Sequence, residues 1–425
     1  MFRTKEIVSA IEIGTSKINV IVGEVGEGGC VSVIGRGSSP SAGAVIKGEI
    51  EDMDLAFEQL GNALEDAENS SGGLLSSCGT VTVVVTGCEI ETFHGIGSVV
   101  VKNEAHKVTE KERMEAHENA RVLRLATGRE IINSSESFFS IDGRRIRNPL
   151  NHAASKLEAH VHVIHALTDR LANFRTVVRE SGFEDVSIEL VFAPLADDVG
   201  ILSDEERENG VLLIDFGAGS TEFVVNYNSG VQASGVIQVG FDHICNDLSL
   251  GLDLHIGACR KLFEDGTLQK AINDRREYME FSSSTGHVRR IPLPSFETII
   301  DARIRETFEI IRAMIIEQKA PVNLDAGGVL TGGGALFERT ALLFREVFDM
   351  SCRIGQPFEA DGALTGLNSP RYSTIWGALK VAAHYNARNE NSSGRNMVGN
   401  LIDVVDGVLN RARVGWLNFK GSSKG

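Results

Sequence analysis

Two short stretches of the chain break an apolar run with an acid, glycines and hydroxyl residues, and then resume it. Residues 9–25 read SAIEIGTSKINVIVGEV, and residues 211–225 read VLLIDFGAGSTEFVV. When Gly14 is placed over Gly217, apolar, acidic, apolar and glycine residues fall in register. Glycine lets backbone N–H groups approach an anion closely, so each stretch is typical of a strand-turn-strand hairpin that cradles phosphate. A P-loop or a Rossmann turn would lead into a helix instead.

Acids stand beside both turns, at Glu12 and Asp215. Carboxylates repel a bare triphosphate, but they suit Mg²⁺ held through water and substrate oxygens, so the pattern implies a metal. The turns also offer hydroxyl donors and one cation, which are Thr15, Ser16, Ser220, Thr221 and Lys17. A third glycine turn, LTGGGALF at 330–337, runs from a strand to a helix and presents N–H groups in the same way. Any one of these turns alone is as compatible with an ordinary hairpin, but the three together favour a nucleotide site.

The composition is that of an ordinary soluble globular protein. With 425 residues, 42% of them apolar, the chain is expected to form two or more domains. The formal net charge of −16 argues against a broad nucleic-acid surface. Six scattered cysteines without a C-x-x-C pair indicate reduced thiols in a cytoplasmic protein. We expect neither a secretory signal nor an apolar run of the roughly 18 residues that a membrane span needs.

The elements that must position these residues follow from periodicity. An amphipathic helix is predicted over 52–70, and residues 88–165 change character in the manner of an inserted subdomain, with a helix after Thr109 as N-cap. DVSIELVFAPLADD at 185–198 is predicted to be a strand. Residues 278–294 are predicted to be irregular, and a long helix is predicted to begin at Ser295 as N-cap.

The three glycine motifs resemble those of a known superfamily. IEIGTSK, IDFGAGST and LTGGGALF are similar to the first phosphate, second phosphate and adenosine motifs of the actin, Hsp70 and sugar-kinase superfamily. Within it the chain resembles the FtsA family of bacterial cell-division proteins over nearly its whole length, including LEAHVHVIHAL and SPRYSTIWGAL. The resemblance implies an α/β, actin-like two-lobed ATPase fold, built from duplicated ribonuclease-H-like domains, with the FtsA-type 1C insert subdomain.

The resemblance also implies a division into subdomains. Residues 1–87 and 166–205 correspond to subdomain 1A, 88–165 to 1C, 206–245 and 323–385 to 2A, and 246–322 to 2B. Residues 386–400 are expected to form a flexible linker, and 401–420 a C-terminal amphipathic membrane-targeting helix.

Each motif is expected, by the resemblance, to hold one part of ATP. Phosphate is expected at Gly14, Thr15, Ser16 and Lys17. Phosphate and Mg²⁺ are expected at Asp215, Gly217, Ala218, Gly219, Ser220 and Thr221. Adenosine is expected at Gly332, Gly333, Gly334 and Ala335. Arg260 or Lys261 matches the family's basic ribose or adenine contact, although an exposed helix charge fits these two positions nearly as well.

Four acids are candidates for catalytic work. Glu12 and Asp215 are expected to face Mg²⁺ through water. In relatives that hydrolyse ATP well, a polar residue near the connection between the lobes positions the attacking water. Here APLADDVG offers Asp197 and Asp198 without a glutamine, so we expect tight ATP binding and weak or slow hydrolysis at most.

The tail is expected to lie in a membrane interface. A helix that carries Trp and Phe on an apolar face, with cations nearby, binds at the surface of an anionic bilayer rather than across it. The candidate membrane-binding residues are Leu401, Ile402, Val405, Val408, Leu409, Arg411, Arg413, Trp416, Phe419 and Lys420. Gly407 and Gly415 weaken the helix, so we expect modest affinity that relies on polymer avidity. The alternative is a helix docked on the protein's own surface.

The function implied by the resemblance is that of a membrane tether. We expect the chain to self-associate into filaments, to bind the C-terminal peptide of FtsZ through 2B, and to meet later division proteins through 1C. The expected location is the cytoplasmic face of the cell membrane at the division site. The alternatives are a pilus-assembly ATPase of the PilM type, a sugar or acetate kinase, and an Hsp70-like chaperone, for which only 40 residues after position 385 leave no room.

Overall fold

The computed structural model describes residues 6–26, 30–87, 89–103, 105–122, 125–282, 288–357 and 366–389. The strands are β1 (Glu6–Ile13), β2 (Lys17–Val25), β3 (Val31–Pro40), β4 (Val45–Ile46), β5 (Glu49–Ile50), β6 (Thr80–Val85), β7 (Glu91–Val100), β8 (Arg129–Ile141), β9 (Arg144–Ile146), β10 (Lys156–Leu167), β11 (Ser187–Phe192), β12 (Val211–Phe216), β13 (Thr221–Tyr227), β14 (Gly230–Ile237), β15 (Tyr278–Ser282), β16 (Val288–Pro292), β17 (Gly328–Thr331) and β18 (Cys352–Ile354). The α-helices are α1 (Met53–Ser71), α2 (Glu110–Val122), α3 (Thr168–Glu180), α4 (Ala193–Ile201), α5 (Asp204–Asn209), α6 (Phe241–Leu252), α7 (Ile256–Glu264), α8 (Thr267–Asn273), α9 (Leu293–Glu317), α10 (Glu338–Phe348) and α11 (Ser373–Asn389).

Two five-stranded sheets share one topology. The lobe-1 sheet has the order β11-β6-β1-β2-β3, and the lobe-2 sheet has the order β18-β17-β12-β13-β14. In each, three antiparallel strands form a meander, and two further strands add in parallel to its first strand. The hairpins β1–β2 and β12–β13 therefore occupy equivalent places. This repetition is the structural counterpart of the two matched sequence stretches.

The central strands are continuous apolar runs because both of their faces are covered. All six residues of β6 and all six of β12 are buried, as expected for strands in the middle of a sheet with helices on both sides. At the edge, β3 alternates buried and exposed positions. Two large cores result, one centred on the lobe-1 sheet and one on the lobe-2 sheet, and α9 buries Phe296, Ile300, Ile304 and Phe308 in the second.

Helices α4 and α11 join the lobes. Helix α4 directly follows the lobe-1 strand β11 but contacts β12 and β13, whereas α11 follows lobe 2 in the chain and packs on β1, β2 and β6. The two helices cross so closely that a Cβ atom built on Gly377 would lie 1.7 Å from the carbonyl oxygen of Ala196. Gly200 faces the same crossing, and a Cβ atom built on it would lie 3.2 Å from the Gly377 Cα atom. Only residues without a side chain allow this approach.

Residues 91–167 form a third layer, the insert, whose sheet has the order β7-β10-β8-β9 and is covered on one side by α2. On its other side the insert contacts lobe 2. The Ser137 hydroxyl donates to the Val231 carbonyl at 2.6 Å, and His162 Nε2 lies 2.7 Å from the Ser234 hydroxyl. Arg147 forms two hydrogen bonds to the Glu208 carboxylate. The insert is thus covalently part of lobe 1 but bonded by side chains to lobe 2.

Most predicted elements are present, and three local predictions were wrong. Residues 193–198 are helical rather than extended, because α4 is buried on all sides and so lacks the polar face that marks a helix. The long helix begins at Leu293, since Pro294 fits a first helical turn and Ser295 lies inside the helix. Residues 278–282 and 288–292 form the hairpin β15–β16, in which the opposed Met279 and Ile291 are buried.

The helix crossing predicts a sharp difference between two glycines. We expect Gly377→Ala to lower the free energy of unfolding by roughly 1–3 kcal/mol or more, because the added methyl group meets a backbone carbonyl that cannot move alone. Gly61→Ala on the exposed face of α1 has open space around it and is expected to raise stability by up to about 1 kcal/mol. Urea unfolding of the two variants checks this. Equal changes in both would contradict the assigned crossing.

Candidate functional site

The two hairpin turns have the same backbone geometry. In the first, the Gly14 N–H donates to the Lys17 carbonyl at 3.1 Å, and in the second the Gly217 N–H donates to the Ser220 carbonyl at 3.1 Å. The acid of each hairpin faces a polar partner across the ladder, since Glu12 pairs with Asn19 and Asp215 with Glu222.

The turns meet each other at the cleft between the lobes. A Cβ atom on Gly219 would lie 2.4 Å from the Thr15 hydroxyl oxygen, so the second turn passes directly against the first. Helix α6 begins beneath the second turn, where the N–H groups of Phe241 and Asp242 donate to the carbonyls of Gly217 and Ala218, each at 2.9 Å. These bonds fix the shape of the second turn.

The third glycine turn lies beside the second hairpin. Gly332 has a φ of +79°, and a Cβ atom there would lie 2.1 Å from Asp215 Oδ1. Its N–H donates to the Pro370 carbonyl at 3.2 Å, and residues 333–336 then form a short 3-10 helix. Gly334 packs against Phe216 and Phe241, whereas Gly333 is exposed, and a Cβ atom there would lie 4.0 Å from Arg371 Nε. The structure therefore brings together all three predicted glycine turns around Asp215.

Four carboxyl groups from both lobes form what we term the acid cluster: Glu12, Asp197, Asp215 and Glu222. The Thr374 hydroxyl on α11 lies 3.0 Å from Asp197 Oδ1 and 3.3 Å from Asp215 Oδ2. Glu12 accepts a 2.7 Å hydrogen bond from Asn19. Glu222 accepts a hydrogen bond from the Thr86 hydroxyl. Asp197 Oδ2 is buried without a hydrogen-bond partner.

Burial is the main reason why the pKa values of these carboxyl groups are raised. It raises the pKa of Asp215 to about 7, with a further contribution from the charge of Glu12. It raises the pKa of Glu222 to about 8, assisted by the charge of Asp215. The pKa of Asp197 is also raised, by burial first and by Asp215 second, and the pKa of Glu12 is raised by burial against the lowering effect of Lys17. Unpaired buried acids of this kind concentrate at functional sites.

The chemistry of the cluster fits a divalent cation. Its donors are all carboxylate oxygens, the type that Mg²⁺ prefers, and a cation would stabilise their charged forms. Within the described ranges, no three His, Cys, Asp or Glu side chains are grouped so that they could hold a metal ion by themselves. A cation at the cluster would therefore need further oxygen ligands, from water or from phosphates.

The sequence analysis did not single out Glu222 and Thr374. Glu222 was detectable, because it lies directly after the second turn in STEFVV and so must pair across the ladder with Asp215. Thr374 had no comparable signal, since it lies 159 positions from Asp215 in the chain and reaches it only through the packing of α11.

Asp197 and Asp198 have different surroundings although they are adjacent. Asp197 belongs to the acid cluster, whereas Asp198 forms a buried ion pair with Arg207, at 2.5 Å, and accepts a hydrogen bond from Asn226. Asp198 is completely buried by these partners. Of the two, only Asp197 points toward the glycine turns.

The hydroxyl and basic candidates also differ in position. Ser16 is exposed, whereas Ser220 is buried and Thr221 donates its hydroxyl hydrogen to the Val239 carbonyl at 2.6 Å. Arg260 donates to Asp242, the residue at the start of α6 that caps the second turn, at 3.1 Å. Lys261 is exposed on α7, the helix that also carries Arg260. Arg260 is thus the basic residue connected to the second turn.

The predicted linker beyond Asn389 and the candidate membrane-binding residues of 401–420 lie outside the described residues. Across the part of the chain that is described, no helix combines the length and apolar character that crossing a bilayer requires.

Sequence comparisons point to one group of proteins. The family model described as "Cell division protein FtsA" matches residues 212–377, and the model described as "SHS2 domain inserted in FTSA" matches residues 87–165. The chain is 28% identical to Cell division protein FtsA of Borreliella burgdorferi over 397 residues, which cover 88% of this chain and 91% of that protein. It is 27% identical to Cell division protein FtsA of Escherichia coli K12, with 91% and 93% covered.

Solved structures agree on the fold. The chain is similar to the PilM–PilN type IV pilus biogenesis complex, with a TM-score of 0.58 at 16% identity, covering 88% of this chain and 98% of that chain. It is also similar to MreB 5 of Spiroplasma citri bound to AMPPNP, with a TM-score of 0.50 at 14% identity, covering 92% and 99%. With the duplicated sheets, these likenesses confirm the predicted actin-like two-lobed fold and its insert.

The acid cluster predicts a stability that depends on pH in the absence of divalent cations. A carboxyl group whose pKa is higher in the folded than in the unfolded chain binds more protons when folded, so stability falls as pH rises from about 4 to about 8. Asp215 and Glu222 have this property. We expect the free energy of unfolding in EDTA to fall by about 2 kcal/mol per pH unit between pH 6 and 8.

The double variant Asp215→Asn, Glu222→Gln should flatten that dependence, because neither replacement titrates. Urea unfolding at several pH values measures it. Glu65→Gln, an exposed change on α1, serves as the control and should keep the wild-type slope. If the double variant also keeps that slope, the two carboxyl groups are not held protonated as assigned.

Proposed function

Because the chain belongs to the FtsA family of cell division proteins, we propose that it is an actin-like ATP-binding protein that polymerises at the membrane and anchors the FtsZ ring there. One observation carries the nucleotide part of this proposal. The two matched hairpin turns, from opposite lobes, meet at Gly219 and Thr15 directly beside the acid cluster.

The phosphates of ATP would lie against the two hairpin turns. The backbone N–H groups of residues 15–16 and 218–220 supply donors for an anion, and Lys17 supplies a positive charge at the first turn. Adenosine would lie against Gly332–Ala335, where Gly333 is exposed, with Arg260 as the basic contact. The MreB 5 structure with bound AMPPNP has the same fold, which supports this placement without determining it.

Magnesium would be held by Glu12 and Asp215 through water, next to the phosphates. When bound, such a cation neutralises phosphate charge and polarises the terminal phosphate for attack. Asp197 is the residue of this chain that is placed to receive a proton from the attacking water. No glutamine lies beside it in residues 193–201 to position that water, so we infer slow hydrolysis and long-lived ATP binding.

The division role would use three further surfaces. The tail helix at 401–420 would attach the protein to anionic lipid at the cytoplasmic face of the cell membrane, at the division site. The region 246–322 would bind the FtsZ C-terminal peptide, while the insert would serve self-association and later division proteins. These assignments are supported by family membership. The likeness to the PilM–PilN complex concerns the fold and adds no support to a pilus role.

Binding of ATP with Mg²⁺ is expected to stabilise the folded chain. At a ligand concentration of 100 times Kd the gain is about 2.7 kcal/mol, visible as a rise in Tm. Lys17→Met and Asp215→Asn should reduce the rise, because they remove a phosphate cation and a metal carboxylate. Lys270→Met, an exposed change on α8, is the control. A wild-type Tm that ATP and Mg²⁺ leave unchanged would refute the nucleotide assignment.

Tethering can be tested in a single flotation assay. A fluorescent peptide with the FtsZ C-terminal sequence should float with anionic liposomes only when the full chain is present, and not with a chain that lacks residues 401–425. Trp416→Ser with Phe419→Ser should also release the peptide, because both remove apolar area from the predicted membrane face. Asn418→Ser, one position away, should not. Recruitment that survives the truncation would overturn the proposed anchor.

A further inference from the structure

We propose that Tyr372 is a positioning residue, which holds the Lys17 ammonium group in the cleft so that it is presented to the phosphates of the nucleotide. The inference rests on the proposed nucleotide-binding function. It adds a residue that belongs neither to the glycine turns nor to the acid cluster. Tyr372 ends a single 3-10 turn, Pro370–Tyr372, directly before α11.

The contact joins the first hairpin to the segment that leads into α11. Lys17 is the first residue of β2 and follows the first turn, and its Nζ atom lies 4.2 Å from the centroid of the Tyr372 ring. Both residues are half-buried. A lysine ammonium over an aromatic face is attracted by the negative face of the ring, and the attraction grows as water is excluded.

The ring itself is held in place by the third glycine turn. The Pro370 carbonyl accepts hydrogen bonds from the Gly332 N–H at 3.2 Å and from the Thr331 hydroxyl at 3.1 Å. The Tyr372 N–H donates to the Ser369 carbonyl at 3.0 Å, and the ring packs on the lobe-1 core. The position of the ring is thus tied to the turn at which adenosine would bind.

A fixed ring matters because Lys17 has two competing partners. The lysine side chain is flexible. Without the ring, its ammonium group would be attracted by the carboxylates of the acid cluster, in particular by Glu12, on whose carboxyl group the charge of Lys17 already acts. An ion pair with Glu12 would have to break before Lys17 met a phosphate. By holding the ammonium group over its face, Tyr372 lowers both the ordering cost and this competition.

The test measures the affinity of three competitors that displace a fluorescent ATP analogue: ATP, ADP and adenosine. Tyr372→Leu should weaken ATP and ADP by roughly three- to tenfold, the size expected for a partly buried cation–π contact. Adenosine has no phosphate for Lys17 to meet, so its affinity should stay within about twofold of wild type. Tyr372→Phe keeps the ring face and should restore the binding of ATP.

A second arm uses Lys17→Met. In that background Tyr372→Leu should cause no further loss of ATP affinity, because the ring has no cation left to position. Equal weakening of ATP and adenosine would show a merely structural role and overturn the proposal. So would unchanged or tighter ATP binding by Tyr372→Leu. Failure of the wild-type chain to bind ATP at all would instead refute the nucleotide-binding function itself, and this inference with it.

Discussion

The close crossing of α4 and α11 is the contact on which the rest of the structure depends. It requires Gly377, because any side chain there would overlap the Ala196 carbonyl. Near the crossing, Asp197 on α4 and Thr374 on α11 both lie in the acid cluster or bond to it. The packing that joins the lobes therefore also decides where their polar groups meet. A shift of either helix would separate Asp197 from Thr374 and change the site without altering any residue in the hairpins.

The site places backbone donors for an anion next to buried carboxyl groups, and each of these features is unfavourable on its own. Backbone N–H groups of the turns favour an anion, while the carboxyl groups beneath them are costly to bury unless they are protonated or paired with a cation. A magnesium triphosphate would satisfy both, with its phosphates toward the N–H groups and its cation toward the acids. Hydrogen bonds from the side chains of Asn19, Thr86 and Thr374 hold these acids in place.

The sequence predicted the parts of the site that depend on neighbouring residues. The spacing of acidic, glycine and hydroxyl residues identified both hairpins. The resemblance to the FtsA family predicted the fold and the family, and the comparisons confirm both. What it could not predict depends on packing between distant segments. Helix α4 was mistaken for a strand because it is buried all round, and Asp197 could not be separated from Asp198 before their partners were known. Thr374 and Tyr372 act on hairpins far away in the chain. The subdomain boundaries and the tail remain predictions.

The bonds between the insert and lobe 2 have a mechanical consequence. The insert leaves and rejoins lobe 1 through two short chain segments, yet His162, Ser137 and Arg147 attach it to Ser234, Val231 and Glu208 of the other lobe. It therefore spans the molecule as a strut. Because Arg175 and the Phe192 N–H of lobe 1 also bond Glu130 and Asn133 of the insert, rotation of one lobe against the other must break bonds on one side of the insert or deform the insert itself. The amplitude of any opening is thus limited by the strut as well as by α4 and α11, and a partner that binds the insert would act directly on the freedom of the lobes to move.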